Sequence, residues 1–405
     1  MNFISITVYI LLALSLAVGL KIAPRRAFNQ DSLSLDAMTC LKGVMALFVL
    51  FHHLSQKKLF HQTGTIGLFE YIGFLFVGVF FMASGYGLYK SFVTKPDYLK
   101  GFVRRRVLPI VISYYVMIAV YAVYHFVSAI NFTPFEWAFK LSGLVLINTQ
   151  SWFVPVIILM YLAFYFVFKN EKSRKFWLPI LLSLTLFQGL LFCVMNHFAW
   201  YAGEAGWWQK PGAFENLPWW KDFCALPFEG EWWVNSTIGF VFGIALAKHE
   251  GAFFDWLSKR FAIKFLALIL IFFAATVLGF FCMWNIGYWT EFSGNLGFKN
   301  KLICYLAQSL QVVCTNLLIV VLMRKVYVKN RLYAFFGKRS LEMYLMQEIA
   351  LFGWLFLIEQ NRTPIFKPHN WNVVVYILLV MTTVTASAVI YSLINKRLSK
   401  FLLRK

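Results

Sequence analysis

The sequence predicts an all-α, polytopic bundle of transmembrane helices, about 11 spans in all, and three observations carry that prediction. Hydrophobic residues make up 60% of the chain and charged residues 14%, whereas about a quarter of a soluble domain is charged. Apolar runs long enough to cross a hydrocarbon core of about 30 Å recur from one end to the other. The 38 Lys and Arg, in a chain of formal charge +21, gather in alternate loops between those runs. Such a distribution reports orientation in a bilayer and not nucleic-acid binding, which would need one basic soluble face.

The first element is residues 1–20, an apolar helix followed by Lys21, Arg25 and Arg26. A signal peptide carries its positive charge first, so this stretch reads as a retained span with an outer N-terminus. Hydropathy then places spans at 38–54, 67–89, 107–130, 152–168, 176–196, 232–248, 262–284, 302–323, 340–358 and 372–394. Counted this way, inner loops hold 28 Lys and Arg and outer loops nine, with Lys42 left over at a helix start. The bias puts the C-terminus inside. Arg104–Arg106, Lys172 with Arg174 and Lys175, Arg324 with Lys325, and the tail from Lys396 to Lys405 are expected to fix topology and touch anionic lipid. No linker, soluble domain or repeat interrupts the pattern. The expected division is a leading helix over 1–20, one membrane domain over 37–395 and a basic tail over 396–405. Six cysteines, mostly within apolar segments, show neither a disulfide framework nor paired metal spacing, and no metal is expected.

The second element, Leu41 to Leu54, reads LKGVMALFVLFHHL. Eleven residues of α-helix bring Lys42 and His53 onto one face, roughly 16 Å apart, while His52 points elsewhere. If Lys42 marks the inner edge of the bilayer, His53 sits near mid-depth, where an ionisable group is expensive and marks a candidate site. The plainer reading is that Lys42 snorkels and His53 belongs to an outer polar rim. The next span is rich in small residues, with Ala83 and Gly87 spaced for close helix packing and Gly73, Gly78, Ser84 and Gly85 keeping its volume low.

Later elements add polar groups at defined depths. In the span beginning at Ser340, Glu348 lies nine residues past Arg339, roughly 13 Å in, at a depth close to that of His53. It is therefore the preferred carboxylate to orient the imidazole, ahead of Glu342 near the interface. Tyr344 and Gln347 share or adjoin its face and could hydrogen-bond substrate. The outer loop from His197 to Glu231 and the start of the next helix hold seven of the 15 tryptophans, Trp207 and Trp208 among them, interleaved with carboxylates. Rings and carboxylates together suit a sugar, although tryptophan also collects at membrane interfaces for its shape alone. Trp152, with Asn148, Thr149 and Gln150, makes a second polar and aromatic surface.

A basic residue, ten positions, then histidine in a helix reading LKG to HHL resembles the membrane acyltransferase 3 family. GVFFMASGY over Gly78 to Tyr86, RRRVLP ending at Pro109, Ser151-Trp152-Phe153, and SLEMYL over Ser340 to Leu345 are similar to its later signatures. The likeness runs from about Leu41 to the C-terminus. Two positions depart from it. Lys42 stands where the family usually has arginine, keeping the charge without the planar fork. Gln347 stands where a second histidine often follows.

What the resemblance implies is an integral-membrane O-acyltransferase in the bacterial cytoplasmic membrane, moving an acetyl group from cytosolic acetyl-CoA to a hydroxyl of an extracytoplasmic glycan. Its partners would be acyl-CoA, the glycan acceptor and the bilayer, with no nucleic acid. Lys42, Arg104, Arg105 and Arg106 would then bind donor phosphates, which arginine holds bidentately and lysine as a point charge. His53 would act as general base or as acyl acceptor, and the residues leave both open. A transporter or flippase of a lipid-linked sugar is the competing class, which internal symmetry would favour. A non-catalytic relative is a third reading, kept open by Lys42 and Gln347.

Overall fold

The structure, a computed structural model, describes residues 3–130, 132, 134–143, 146–194, 232–286, 298–358 and 370–403. The helices are α1 (Phe3–Ala17), α2 (Leu35–Ser55), α3 (Lys58–Thr63), α4 (Gly73–Thr94), α5 (Leu108–Val127), α6 (Pro134–Ser142), α7 (Phe153–Lys169), α8 (Glu171–Lys175) and α9 (Trp177–Val194). They continue as α10 (Trp232–Ser236), α11 (Ile238–Ser258), α12 (Phe261–Phe281), α13 (Phe298–Met323), α14 (Arg331–Gly337), α15 (Ser340–Gly353) and α16 (Asn370–Leu402). The fold class is all-α and polytopic. Among the described residues, seven helices are long and apolar enough to cross a membrane.

The remaining expected spans fall short for identifiable reasons. α1 has 15 residues and α15 has 14, so at 1.5 Å per residue each covers only about 21–23 Å. Gly353 ends α15, and a 3₁₀ turn over Leu355–Leu357 follows. α9 reaches Val194, where the described residues stop. α11 carries Lys248, Glu250 and Asp255 and is broken at His249, whose φ of −110° and ψ of 16° leave the helical region.

The chain divides into two compact units, Met1–Val77 with Ile319–Lys405, and Gly78–Leu318. In the first unit, a short antiparallel ladder that hydropathy does not reveal joins β1 (Leu20–Ile22) to β2 (Val326–Val328), pairing Leu20 with Val328 and Ile22 with Val326. Arg324 and Lys325, expected to fix topology and touch anionic lipid, are bound to backbone carbonyls. Arg324 Nη1 donates to Asn29 O at 2.7 Å, and Lys325 Nζ donates to the carbonyls of Pro24, Arg25 and Ala27 at 3.2, 3.0 and 2.6 Å. Asn330 caps α14 by accepting from Leu332 N and Tyr333 N, while its Nδ2 donates to Ser15 O and Val18 O at the end of α1. α2 crosses α14 with backbones in contact. A Cβ on Gly43 would lie 1.9 Å from Tyr333 O, and one on Gly337 would lie 1.8 Å from Thr39 O.

In the second unit the small residues of α4 meet those of α11. A Cβ on Gly85 would strike Phe240 O at 2.1 Å, one on Gly243 Met82 O at 2.1 Å, and one on Gly239 Gly78 O at 2.3 Å. Backbones approach this closely where lipid supplies no hydrophobic drive between helices. Gly87, expected to pair with Ala83, meets nothing within 4 Å. The packing glycines are therefore one face away from the pair that the spacing suggested. α13 contributes a buried polar row, with Gln308 2%, Gln311 1% and Asn316 0% exposed. Gln308 accepts from Asn235 Nδ2, and Asn316 Nδ2 donates to Gly78 O at 3.4 Å.

Candidate active site

Ser34 starts α2 by accepting from Ala37 N at 3.3 Å, and Asp36 in the first turn complements the helix dipole. The helix then runs without Gly or Pro from Val44 to Ser55, so Lys42 and His53 keep the shared face that the spacing predicts. α2 packs on α14 and on α15, and α15 packs in turn on α16. The first unit thus holds Lys42, His53, Tyr344, Gln347 and Glu348 together on two helices in direct contact.

His52 and His53 have different surroundings. His52 is 7% exposed, and its Nδ1 lies 2.8 Å from Phe69 O. Its ring fills the space beside Gly73, where an added Cβ would come within 2.2 Å of Cδ2. His52 is a packed core histidine. His53 is half-buried, and its Nδ1 lies 3.3 Å from Gln56 Oε1, one turn further along α2. Among the described residues its Nε2 has no hydrogen-bond partner. If Nδ1 carries the proton and donates to Gln56, Nε2 is left as the basic nitrogen. Gln56 is an i, i+3 neighbour of His53 on α2, and it stands at Nδ1 where the spacing of α15 suggests Glu348.

On α15, Tyr344 and Glu348 stand one turn apart, and the phenol feels the Glu348 charge. Gln347 between them is 1% exposed, and its Nε2 is buried without a hydrogen-bond partner among the described residues. The same holds for Gln188 Nε2 and Gln311 Nε2 on other helices. Lys42 is half-buried and lies in the field of Glu342. Lys42 and Glu342 form no ion pair among the described residues, and Glu342 takes its hydrogen bond and nearest charges from Ser392, Lys396 and Arg339.

Arg104, Arg105 and Arg106 belong to the second unit and sit on a π-helical turn, Val103–Val107, with Pro109 in the first turn of the helix that follows. Arg105 Nη2 donates to Tyr98 O at 2.7 Å. Arg106 Nε donates to Tyr98 OH at 2.9 Å, and its guanidinium lies 5.6 Å from that ring. Arg104 and Arg105 remain exposed. Trp152 is 6% exposed and stacks edge-on with Phe153, so it is packed rather than open to a substrate. Trp207 and Trp208 lie outside the described residues. Tyr86, the last residue of GVFFMASGY, donates to Glu250 Oε2 at 2.9 Å, and Lys90 Nζ meets the same oxygen at 2.7 Å. That cluster was not anticipated, because its acid lies 160 residues further along the chain.

The fold is a polytopic helical bundle, and α2 carries the half-buried Lys42 and His53 on one face. A family model described as an acyltransferase domain, that of the acyltransferase 3 family, matches residues 35–392. The chain belongs to this family, and the class is that of a membrane acyltransferase. No curated protein and no solved structure matches the chain.

Proposed function

We propose that the protein is an O-acetyltransferase of the bacterial cytoplasmic membrane, taking its acyl group from acetyl-CoA on the inner side and delivering it to a glycan hydroxyl on the outer side. The observation that carries this reading is His53, whose Nδ1 is engaged by Gln56 and whose Nε2 is left without a partner among the described residues. In the transfer, Nε2 removes the proton of the acceptor hydroxyl while that oxygen attacks the thioester carbonyl. The C–S bond then breaks, the thiolate leaves, and the proton passes from His53 to the departing sulfur or to solvent. A base placed in this way contributes a factor of about 10² to 10⁴.

Lys42, roughly 16 Å along the same face, is the phosphate-binding candidate of the first unit. Arg104, Arg105 and Arg106 are the candidates of the second. Gln347, with its buried amide donor, suits the carbonyl oxygen of the acyl group, which gains charge as the tetrahedral intermediate forms. Glu348 and Tyr344 complete the polar lining of α15 on this reading.

Mass spectrometry of surface glycans from cells with and without the protein tests the reading. Glycans lighter by one acetyl group per repeat in its absence are expected. Loss of whole sugar units would favour a flippase, and identical glycans would contradict both.

A further inference from the structure

The first unit contains a cavity of about 590 Å³ that no part of the proposed reaction uses. α1 and α16 form its walls, Leu47 and Phe51 of α2 its floor, and Leu332 of α14 one end. Leu47 and Phe51 are 4% and 3% exposed, and Phe51 stands about 200° around α2 from His53, on the opposite side of the helix. The cavity is therefore separate from the candidate active site. α1 also lies outside the family match, which begins at residue 35.

Its chemistry is that of a hydrocarbon site. Thr7 and Ser15 bring the hydroxyls of α1 to the lining, and both are already bonded, Thr7 to Phe3 O at 3.0 Å and Ser15 to Leu12 O at 2.8 Å and Tyr333 OH at 2.6 Å. The lining positions on α1 run from Phe3 to Ser15, a rise of about 18 Å along the helix axis. That length is close to one leaflet of a core about 30 Å thick. The rim is apolar and open, with Leu11 60% and Leu378 59% exposed. A groove parallel to the spans, open on an apolar side and about as deep as one leaflet, fits one lipid chain.

The Ser15–Leu332 end adds a charge. Asn330 ties Ser15 to the start of α14, and the next residue, Arg331, is exposed with no ion pair or side-chain hydrogen bond among the described residues. Lys329 and Lys21, on the neighbouring chain segments, are exposed in the same way. Three exposed basic residues on the segments that follow Ser15 and precede Leu332 complement a lipid phosphate with net negative charge.

We infer that this groove is a binding site for an anionic glycerophospholipid, with one acyl chain between α1 and α16 and the phosphate at Arg331. The test uses the full chain, purified and reconstituted with phosphatidylglycerol or phosphatidylcholine carrying a photoactivatable acyl chain. Phosphatidylglycerol should label peptides of α1 and of the first half of α16, more strongly than phosphatidylcholine does. Val8→Trp, which fills the groove, should lower that labelling about 10-fold. Arg331→Gln, at an exposed position where folding is not at stake, should narrow the preference for phosphatidylglycerol. Equal labelling of the unaltered protein by both lipids, labelling elsewhere on the chain, or labelling indifferent to Val8→Trp would each overturn the proposal. All three readouts are independent of acyl transfer, so they stand or fall apart from the proposed activity.

Discussion

Gly43 and Gly337 lock α2 to α14: each presents bare backbone to the other helix at a point where a methyl group would lie within 2 Å of a carbonyl oxygen. The helix that carries Lys42 and His53 is thereby held at a fixed distance from the segment leading into α15. Gly43→Ala and Gly337→Ala should each destabilise the fold by about 1–3 kcal/mol, the usual cost of forcing extra volume into a packed contact. Gly87→Ala, with nothing within 4 Å, is the matched control and should be neutral. Thermal unfolding of the purified variants in detergent checks the contrast.

Lys42 and Glu342 make the second expectation. If Lys42 binds a donor phosphate, Lys42→Gln should weaken acetyl-CoA binding and Lys42→Arg should restore much of it. Glu342→Gln removes a negative charge whose field reaches Lys42, and should tighten phosphate binding there. Calorimetry with acetyl-CoA reads both, and unchanged affinity in Lys42→Gln would leave this lysine a snorkelling residue only.

The His53–Gln56 contact predicts a graded loss. Gln56→Leu takes away the acceptor at Nδ1 while leaving the imidazole in place, and should lower kcat by about 10-fold, less than loss of the base itself. Added to His53→Ala, Gln56→Leu should cost little more, because residues that act as a unit lose function together. Losses that multiply would separate Gln56 from the histidine. Glu348→Gln, on the facing helix, should lower transfer by an intermediate amount.

Orientation is open to a direct check. A reporter fused after Lys405 should register as cytoplasmic and one inserted near Gly212 as external, following the distribution of Lys and Arg. An external C-terminus would invert the assigned depth of His53.

Much of the fold was legible because hydropathy and charge bias are strong signals over long windows. The all-α class, the family, and the helix bearing Lys42 and His53 all follow from the sequence. What escaped depends on partners distant in the chain. The pairing of Leu20–Ile22 with Val326–Val328 joins segments too short to show a strand pattern. Arg324 and Lys325 read as loop charges until their carbonyl partners near residue 27 are placed beside them. The bond between Tyr86 and Glu250 likewise needs two helices side by side. Within the site, the separate roles of His52 and His53 follow from helical phase, but the choice of Gln56 over Glu348 at Nδ1 is set by side-chain reach, which spacing alone does not fix.

On the proposed mechanism His53 carries out the transfer while other groups hold the donor. Single-turnover acyl transfer by reconstituted His53→Ala, measured beside acetyl-CoA binding by the same preparation, separates the two roles. Transfer should fall by a factor of about 10² to 10⁴ or more with donor affinity retained, since Lys42 lies roughly 16 Å away. Near-normal transfer by His53→Ala would rule this mechanism out.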